Sequence, residues 1–337
     1  MSFLNKIVSF LKLLKNYNKL AVKKSILFYI YINPILFFFL SIIAKIIIFT
    51  KNIYLVNLFL DNKIFISVIR MLTLNQKIYI ADNLKSYNNI TNEKLYAYFD
   101  DNSNKNKSIN KLNELKKNGF CNLGKIFSDK ECDDFIKHLE NKDCYNNQAV
   151  LQSDGISLKF KQKNIGEYGK KGNYLSFLPE IALTFEPIKK YLNNNSLNYI
   201  INSYLNFRSS IYHCITFFNS KSKITHYVHS KHRDYDDWKH LQLTIYWNDI
   251  DNKNGATIFY ENSHNTLVDN KKKGIPLSGK KGEVFLIDTY GLHAANHLVH
   301  GYRYITFIRF AKKVNKLSVV DGFLSTPSDK QIKNIYN

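Results

Sequence analysis

The sequence predicts a mainly β domain with flanking helices, preceded by a helical, hydrophobic N-terminal extension. Short segments rich in β-branched and aromatic residues follow one another between residues 208 and 310, with turn residues between them and no helical pattern. Such spacing is typical of an antiparallel sandwich or barrel. The N-terminal region differs in composition, because no Asp or Glu occurs before Asp61.

Several helices are expected before the β segments. Ser128 is followed three residues later by Glu131, and this capping box predicts a helix in "SDKECDDFIKHLEN". Other helical patterns cover residues 111–118, about 180–193 and 196–205. Farther along, Asn254-Gly255 predicts a tight hairpin turn.

Residues 1–60 combine eight lysines with long apolar runs. Residues 3–23 have the pattern of a basic amphipathic helix, which is suited to an anionic bilayer surface. Residues 25–44 carry no charge and are long enough to span a bilayer, but Pro34 interrupts them. We therefore expect a possible membrane surface as a partner of residues 1–60, and a single-span anchor is the weaker alternative.

The chain divides into four predicted parts. Residues 1–81 form the basic, membrane-associating helical extension, 82–110 a polar linker, 111–315 the β domain with its helices, and 316–337 a C-terminal tail. Four cysteines without a CxxC pair are typical of a reducing compartment, so a cytoplasmic location is expected.

The formal net charge of +21 does not indicate a nucleic-acid partner by itself. Almost all of the positive charge is lysine spread along the chain, and arginine occurs five times. Nucleic-acid-binding proteins concentrate their charge and use arginine for bidentate contacts. A basic nucleic-acid-binding protein stays open as an alternative function.

A metal site is suggested by His232 and Asp234, which precede a predicted strand. On extended backbone, residues two apart point to the same side. His293 follows a later strand, and Arg303 starts another. Two imidazoles and one carboxylate leave three coordination positions open, which is the ligand set of non-haem Fe(II) oxygenases. An arginine one strand away is suited to a dicarboxylate cosubstrate.

The other histidines could in principle form alternative metal-binding sites. One histidine follows His293 at a spacing of four, but the glutamate of a zinc-binding HExxH helix is missing. We expect His264 to support the turn after its strand. Loop or surface positions are expected for four histidines, namely His226, His229, His297 and His300.

These motifs, taken in order, resemble the phytanoyl-CoA dioxygenase-like family of Fe(II)/2-oxoglutarate-dependent oxygenases. The resemblance rests on His232-Arg-Asp234, the strand into "DIDNKNGATIF", the "NSH" that ends at His264, and "GEVFLIDTYGLH…GYR". It runs from about Lys117 to about Phe310 and leaves the first hundred residues uncovered. It implies a double-stranded β-helix, a form of jelly roll, with Fe(II) as cofactor and with 2-oxoglutarate and dioxygen as cosubstrates.

The resemblance also assigns roles to single residues. Arg303 would bind the distal carboxylate of 2-oxoglutarate. In the strand 241–247, Gln242 and Thr244 share a face and are expected to line the cosubstrate pocket, with an ordinary polar strand face as the alternative. The implied iron ligands are His232, Asp234 and His293.

The expected reaction is hydroxylation of a small-molecule or lipid-like substrate, with release of succinate and carbon dioxide. Asp234 supports hydroxylation, because halogenating relatives lack this carboxylate. Reduced iron and 2-oxoglutarate are available in the cytosol. Attachment of the domain to the cytoplasmic face of a membrane is therefore favoured over its export across the membrane. A catalytically inactive, membrane-attached jelly-roll binding protein stays open as a further alternative.

Overall fold

The computed structural model describes eight stretches of the chain and the single residue Ile42. Most of the predicted extension and linker lie outside the described residues, so membrane binding by residues 1–60 stays a prediction. Within the part of the chain that is described, no helix combines the length and the apolar character needed to cross a bilayer. The stretches are residues 102–146, 161–162, 174–206, 208–221, 227–234, 239–265, 273–312 and 327–336.

The described residues form a mainly β structure with flanking helices, which confirms the predicted class. The helices are α1 (Asn102–Asn118), α2 (Asp129–Glu140), α3 (Pro179–Leu183), α4 (Glu186–Leu192), α5 (Asn195–Leu205) and α6 (Asp329–Tyr336). The strands are β1 (Phe120–Lys125), β2 (Cys144–Asn146), β3 (Lys161–Gln162), β4 (Tyr174–Phe177), β5 (Ser209–Ser220), β6 (Leu241–Tyr246), β7 (Thr257–Phe259), β8 (Ile275–Leu277), β9 (Glu283–Ile287), β10 (His293–Ala295) and β11 (Tyr302–Lys312).

Two antiparallel sheets organise these strands. The larger sheet has the order β1-β9-β6-β11-β5-β4-β2-β3, and the smaller sheet has the order β10-β7-β8. An isolated bridge joins His232 to His293 at the β10 edge of the smaller sheet. From β5 to β11 the chain therefore passes repeatedly from one sheet to the other, which is consistent with a jelly roll.

The larger sheet is buried on both faces at its strand β6. On its outer face, Trp247 packs against Phe135 of α2, with ring centroids 4.1 Å apart. On its inner face, Tyr246 and Phe285 share an apolar cluster with Phe259 of the smaller sheet. Every residue of β6 is buried, so the polar residues that alternate along this strand lie in the interior of the protein.

Helix α1 begins inside the predicted linker 82–110. Ser108, Leu112 and Leu115 are buried, and their spacing places them on one side of the helix. This side packs against α5. The Asn- and Lys-rich composition of the segment hid the buried stripe, so residues 102–110 are helical where a linker was predicted.

The other helices follow the predicted pattern with one difference. Ser128 and Glu131 form the expected capping box at the start of α2. The single helix expected at 180–193 is instead two helices, α3 and α4. Pro187 lies in the first turn of α4, and proline is tolerated there but not in a helix interior.

Asn254 and Gly255 form a turn, but the turn does not close a hairpin. Gly255 has φ +97°, a conformation that favours glycine. The strands before and after the turn, β6 and β7, belong to different sheets. The predicted turn is therefore present, whereas the predicted pairing of its flanking strands is wrong.

The C-terminal helix α6 provides a test of the domain boundary, because it lies in the segment predicted as a tail. Ile335 is fully buried, and Asn193 Nδ2 of the α4–α5 turn donates to its carbonyl oxygen. We expect Ile335→Ala to lower the free energy of unfolding by about 2–5 kcal/mol, measured by urea denaturation. The exposed Lys333→Ala, expected to cost less than about 0.5 kcal/mol, is the control. Equal effects of the two variants would show that α6 does not stabilise the domain.

Candidate active site

Three predicted metal ligands meet in the structure. One side-chain ligand atom each from His232, Asp234 and His293 lies within 4.8 Å of the others. In the described part of the chain, no other group of three or more His, Cys, Asp or Glu residues is placed in this way. The fold therefore brings together the two neighbouring residues and the distant histidine that the sequence singled out.

Backbone hydrogen bonds hold this group in place. His232 N–H donates to the His293 carbonyl at 2.9 Å, and His293 N–H donates to the His232 carbonyl at 2.9 Å. Asp234 N–H donates to the Thr289 carbonyl, also at 2.9 Å. The segment that carries His232 and Asp234 is thus fixed against the start of β10 independently of any bound metal.

Both histidines are held in the tautomer that a metal requires. His232 Nδ1 lies 2.8 Å from the Ser230 carbonyl, and His293 Nδ1 lies 2.9 Å from the Gly291 carbonyl. A carbonyl oxygen accepts hydrogen bonds and cannot donate them, so each Nδ1 carries the hydrogen. Each Nε2 is left with a lone pair for coordination, which is the usual arrangement of metal-binding histidine.

Asp234 is ionised and buried beside a permanent cation. Arg309 Nη2 lies 2.9 Å from Asp234 Oδ2, and both side chains are almost buried. Burial is the largest single effect on the pKa of Asp234 and raises it, but the Arg309 cation and the neighbouring histidines together outweigh burial and hold this pKa below its usual range. Among the described residues, Asp234 Oδ2 has no partner with hydrogen-bond geometry, so its contact with Arg309 is an ion pair. An ionised carboxylate has several lone pairs, and one of them can bind a metal beside this ion pair.

His293 is neutral at physiological pH. Burial lowers its pKa to about 4, against the opposing effect of the Asp234 carboxylate. The Nε2 atom lies 3.6 Å from Asp234 Oδ2. Two imidazoles whose Nδ1 atoms are held by backbone carbonyls and one carboxylate therefore fit a divalent iron with three open positions.

Arg303 lies on the inner face of the larger sheet and is 4% exposed. Its Nε and Nη2 atoms donate to Asn219 Oδ1 at 3.1 and 2.8 Å, and Nη1 donates to the Gly255 carbonyl. A Cβ atom at Gly255 would lie 3.2 Å from Nη1. The glycine predicted for the turn thus also makes room for the predicted cosubstrate arginine.

Gln242 and Thr244 lie in the interior, on the face predicted for them. Gln242 Nε2 donates to Thr244 Oγ1 at 3.2 Å. Gln242 Oε1 accepts from Arg309 Nε at 2.9 Å. Gln242 therefore contacts the metal-ligand group through Arg309, a connection that the sequence analysis did not include.

Sequence reasoning missed two residues of this region, Arg309 and Asn219. Arg309 follows Arg303 by six positions on one strand, so the period of two already placed both on one face. That signal was present in the sequence. Asn219 lies opposite Arg303 on β5, and this depends on a pairing register that no local pattern gives.

The other histidines in the described part of the chain lie outside the metal-ligand group. His264 is 3% exposed, and its Nε2 lies 3.1 Å from the Lys116 carbonyl at the end of α1, so it supports the turn as predicted. His229 and His297 stack with ring centroids 3.9 Å apart. His300 is exposed, and His226 lies outside the described residues.

The sequence pattern of the phytanoyl-CoA dioxygenase (PhyH) family matches residues 115–298, more than half of the chain. The chain belongs to this family. Its class of activity is that of a 2-oxoglutarate-dependent non-haem iron oxygenase, and its cofactors are iron and 2-oxoglutarate. The match includes His232, Asp234 and His293 and ends before Arg303.

Solved structures with a similar fold include three proteins of low sequence identity. AviO1 from Streptomyces viridochromogenes Tue57 is 14% identical, with 61% of this chain and 95% of that chain covered and a TM-score of 0.41. HygX from Streptomyces hygroscopicus, solved with nickel and 2-oxoglutarate bound, is 12% identical and has a TM-score of 0.43; the match covers 60% of this chain and 87% of HygX. The non-heme epimerase SnoN from nogalamycin biosynthesis is 10% identical and has a TM-score of 0.43; the match covers 61% of this chain and 82% of SnoN. No curated protein matches the chain.

The Arg309–Asp234 pair provides a test of the site's electrostatics. In metal-free protein, Arg309→Met leaves a buried carboxylate without its cation, and we expect the free energy of unfolding to fall by about 3–5 kcal/mol. The loss should be much smaller in an Asp234→Asn background, where no charge needs compensation. Denaturation of the four proteins in chelator gives the coupling energy. Equal losses in both backgrounds would show that Arg309 acts through packing alone.

The low pKa of His293 predicts a pH-dependent stability. Unfolded histidine titrates near 6.5 and folded His293 at about 4, so between these values the unfolded chain binds a proton that the folded chain does not. The free energy of unfolding of metal-free protein should therefore decrease as the pH falls from about 6.5 to about 4. We expect a shallower slope, by about one proton, in His293→Gln. The exposed His300→Gln should keep the wild-type slope; a wild-type slope in His293→Gln would contradict the assignment.

Proposed function

We propose that this oxygenase is a hydroxylase that inserts one oxygen atom into a C–H bond of a small-molecule or lipid-like substrate. Fe(II) would be held by Nε2 of His232, Nε2 of His293 and a carboxylate oxygen of Asp234. The observation that carries the proposal is the orientation of both imidazoles, whose Nδ1 hydrogens are taken by backbone carbonyls beside a buried carboxylate.

The cosubstrate would be held by residues on the inner face of the larger sheet. Arg303 would pair with the distal carboxylate of 2-oxoglutarate, because it is a buried cation whose guanidinium plane is fixed by two neutral oxygens. Thr244 is fully buried and retains a hydroxyl hydrogen to donate. Gln242 would act through Arg309, whose position it fixes.

The bound iron and 2-oxoglutarate would supply the oxidising chemistry: dioxygen is consumed, 2-oxoglutarate becomes succinate and carbon dioxide, and the substrate gains a hydroxyl group. Asp234 favours hydroxylation, since its carboxylate occupies the position that a halogenating enzyme leaves to a halide. Arg309 keeps this carboxylate ionised, and the backbone bonds of His232 and His293 keep the remaining ligands oriented.

We further propose that the catalytic domain includes α1 and α6, so that it extends beyond the boundaries expected from the sequence. Both helices pack on the core, through Leu115 and Ile335 respectively. Residues 1–81 would then be a separate extension. Its predicted role is attachment to the cytoplasmic face of a membrane, where a lipid-like substrate is available.

An anaerobic visible spectrum of the purified full-length protein tests the proposal. With Fe(II) and 2-oxoglutarate added, we expect a weak charge-transfer band, because the keto acid chelates the iron. The band should be absent in His232→Ala and should need at least about tenfold more 2-oxoglutarate in Arg303→Ala, which loses a charge-assisted pair. His300→Ala, a histidine outside the site, is the matched control.

The two alternatives predict different results. A folded, iron-loaded protein that shows no band would contradict the assignment of the three ligands. A band without any succinate release in the presence of dioxygen would favour the catalytically inactive binding protein. Retention on DNA that depends on salt and persists without residues 1–60 would favour the nucleic-acid-binding alternative.

A further inference from the structure

We propose that Asn219 is a second cosubstrate-binding residue, whose side-chain amide donates a hydrogen bond to the distal carboxylate of 2-oxoglutarate beside Arg303. The inference rests on the proposed function and adds to it a residue that determines which keto acid is accepted. It starts from an unsatisfied hydrogen-bond donor in the interior of the protein.

Asn219 and Arg303 form a cross-strand pair. They lie opposite each other in the register of β5 and β11, and opposite residues of an antiparallel pair point to the same face. The inner face is shown by Phe217 and Ile305, two residues farther along each strand, which belong to the cluster between the sheets. Asn219 is 3% exposed and Arg303 is 4% exposed, so the pair is buried.

The orientation of the Asn219 amide follows from its partner. A guanidinium donates hydrogen bonds and cannot accept them, so the atom that faces Arg303 must be the amide oxygen. Both Nε and Nη2 of Arg303 donate to this oxygen. The amide nitrogen is consequently on the other side of the planar group, and the assignment of Oδ1 and Nδ2 does not depend on a choice of amide flip.

The Asn219 Nδ2 atom is buried and has no hydrogen-bond partner among the described residues. A buried donor without an acceptor costs free energy, and folded proteins rarely retain one unless a ligand or water supplies the acceptor. The position of this donor, next to the arginine proposed to bind a carboxylate, indicates a carboxylate oxygen as the acceptor.

Asn219 would thus have two effects that one substitution can separate. Its oxygen fixes the guanidinium plane of Arg303, and its nitrogen adds a donor to the same anion. Asn219→Asp keeps the size and the accepting oxygen but replaces the donor by a second, negatively charged oxygen. This change turns attraction for the distal carboxylate into repulsion and neutralises Arg303.

The test measures anaerobic binding of two keto acids to the Fe(II)-loaded full-length protein through the charge-transfer band. One is 2-oxoglutarate, and the other is 2-oxopentanoate, which has the same chain without the distal carboxylate. We expect Asn219→Asp to weaken 2-oxoglutarate binding by about 100-fold and to change 2-oxopentanoate binding by less than about threefold. Asn219→Ala, which introduces no charge, should weaken 2-oxoglutarate by about tenfold.

A matched control uses another buried asparagine. Asn202 on α5 accepts from Ser209 N–H at 2.9 Å through Oδ1, as Asn219 accepts from Arg303, but this partner is not a residue proposed for the site. Asn202→Asp should bind both keto acids with wild-type affinity. Far-ultraviolet circular dichroism and Mn(II) binding, measured on each variant, show whether the fold and the metal ligands are intact.

The outcomes separate this inference from the proposed function. Equal weakening of both keto acids by Asn219→Asp and Asn219→Ala would assign Asn219 a structural role and overturn the inference, and so would unchanged binding of 2-oxoglutarate. In both cases the wild-type band would leave the proposed function standing. A folded, Mn(II)-binding wild-type protein that binds neither keto acid would overturn the proposed function and the inference together.

Discussion

The active site depends on two reciprocal backbone hydrogen bonds between His232 and His293. They join a segment that belongs to neither regular sheet to the edge of the smaller one, and they set the distance between the two imidazoles. Asp234 is fixed by the same means, through Thr289. Main-chain hydrogen bonds place all three residues, so the ligand geometry exists without a metal. Metal binding therefore does not have to offset the conformational entropy lost when these residues are ordered.

Charge balance is the second constraint on the site. A buried carboxylate needs a compensating cation, and Arg309 supplies one permanently at 2.9 Å. The same arginine is held by Gln242, which lies opposite it in the pairing of β6 with β11. Burial keeps His293 neutral, so the imidazole adds no further positive charge and its lone pair stays available. The ionic state of the site is therefore set by the surrounding strands.

Features that depend on local sequence pattern and on the order of motifs along the chain could be predicted. Features that depend on how strands and helices pair in the fold could not. Four features could be recognised in the sequence: the spacing of His232 and Asp234, the later His293, the capping box at Ser128 and the β class of the domain. The first part of helix α1, residues 102–110, was hidden by an Asn- and Lys-rich composition, whereas the helix at 111–118 was predicted. Asn219 could not be found, since its place opposite Arg303 is set by the register of β5 and β11.

The inner face of β11 carries two arginines with different surroundings. Arg303 at one end and Arg309 at the other are separated by Ile305 and Phe307, which belong to or pack against the apolar cluster between the sheets. Six residues of strand span about 20 Å between the two Cα atoms, and two long arginine side chains can shorten the gap between their charges considerably. Arg309 is paired with Asp234, whereas Arg303 is held by the neutral oxygens of Asn219 and Gly255. The backbone of one strand therefore fixes how far the proposed cosubstrate arginine lies from the metal-ligand group.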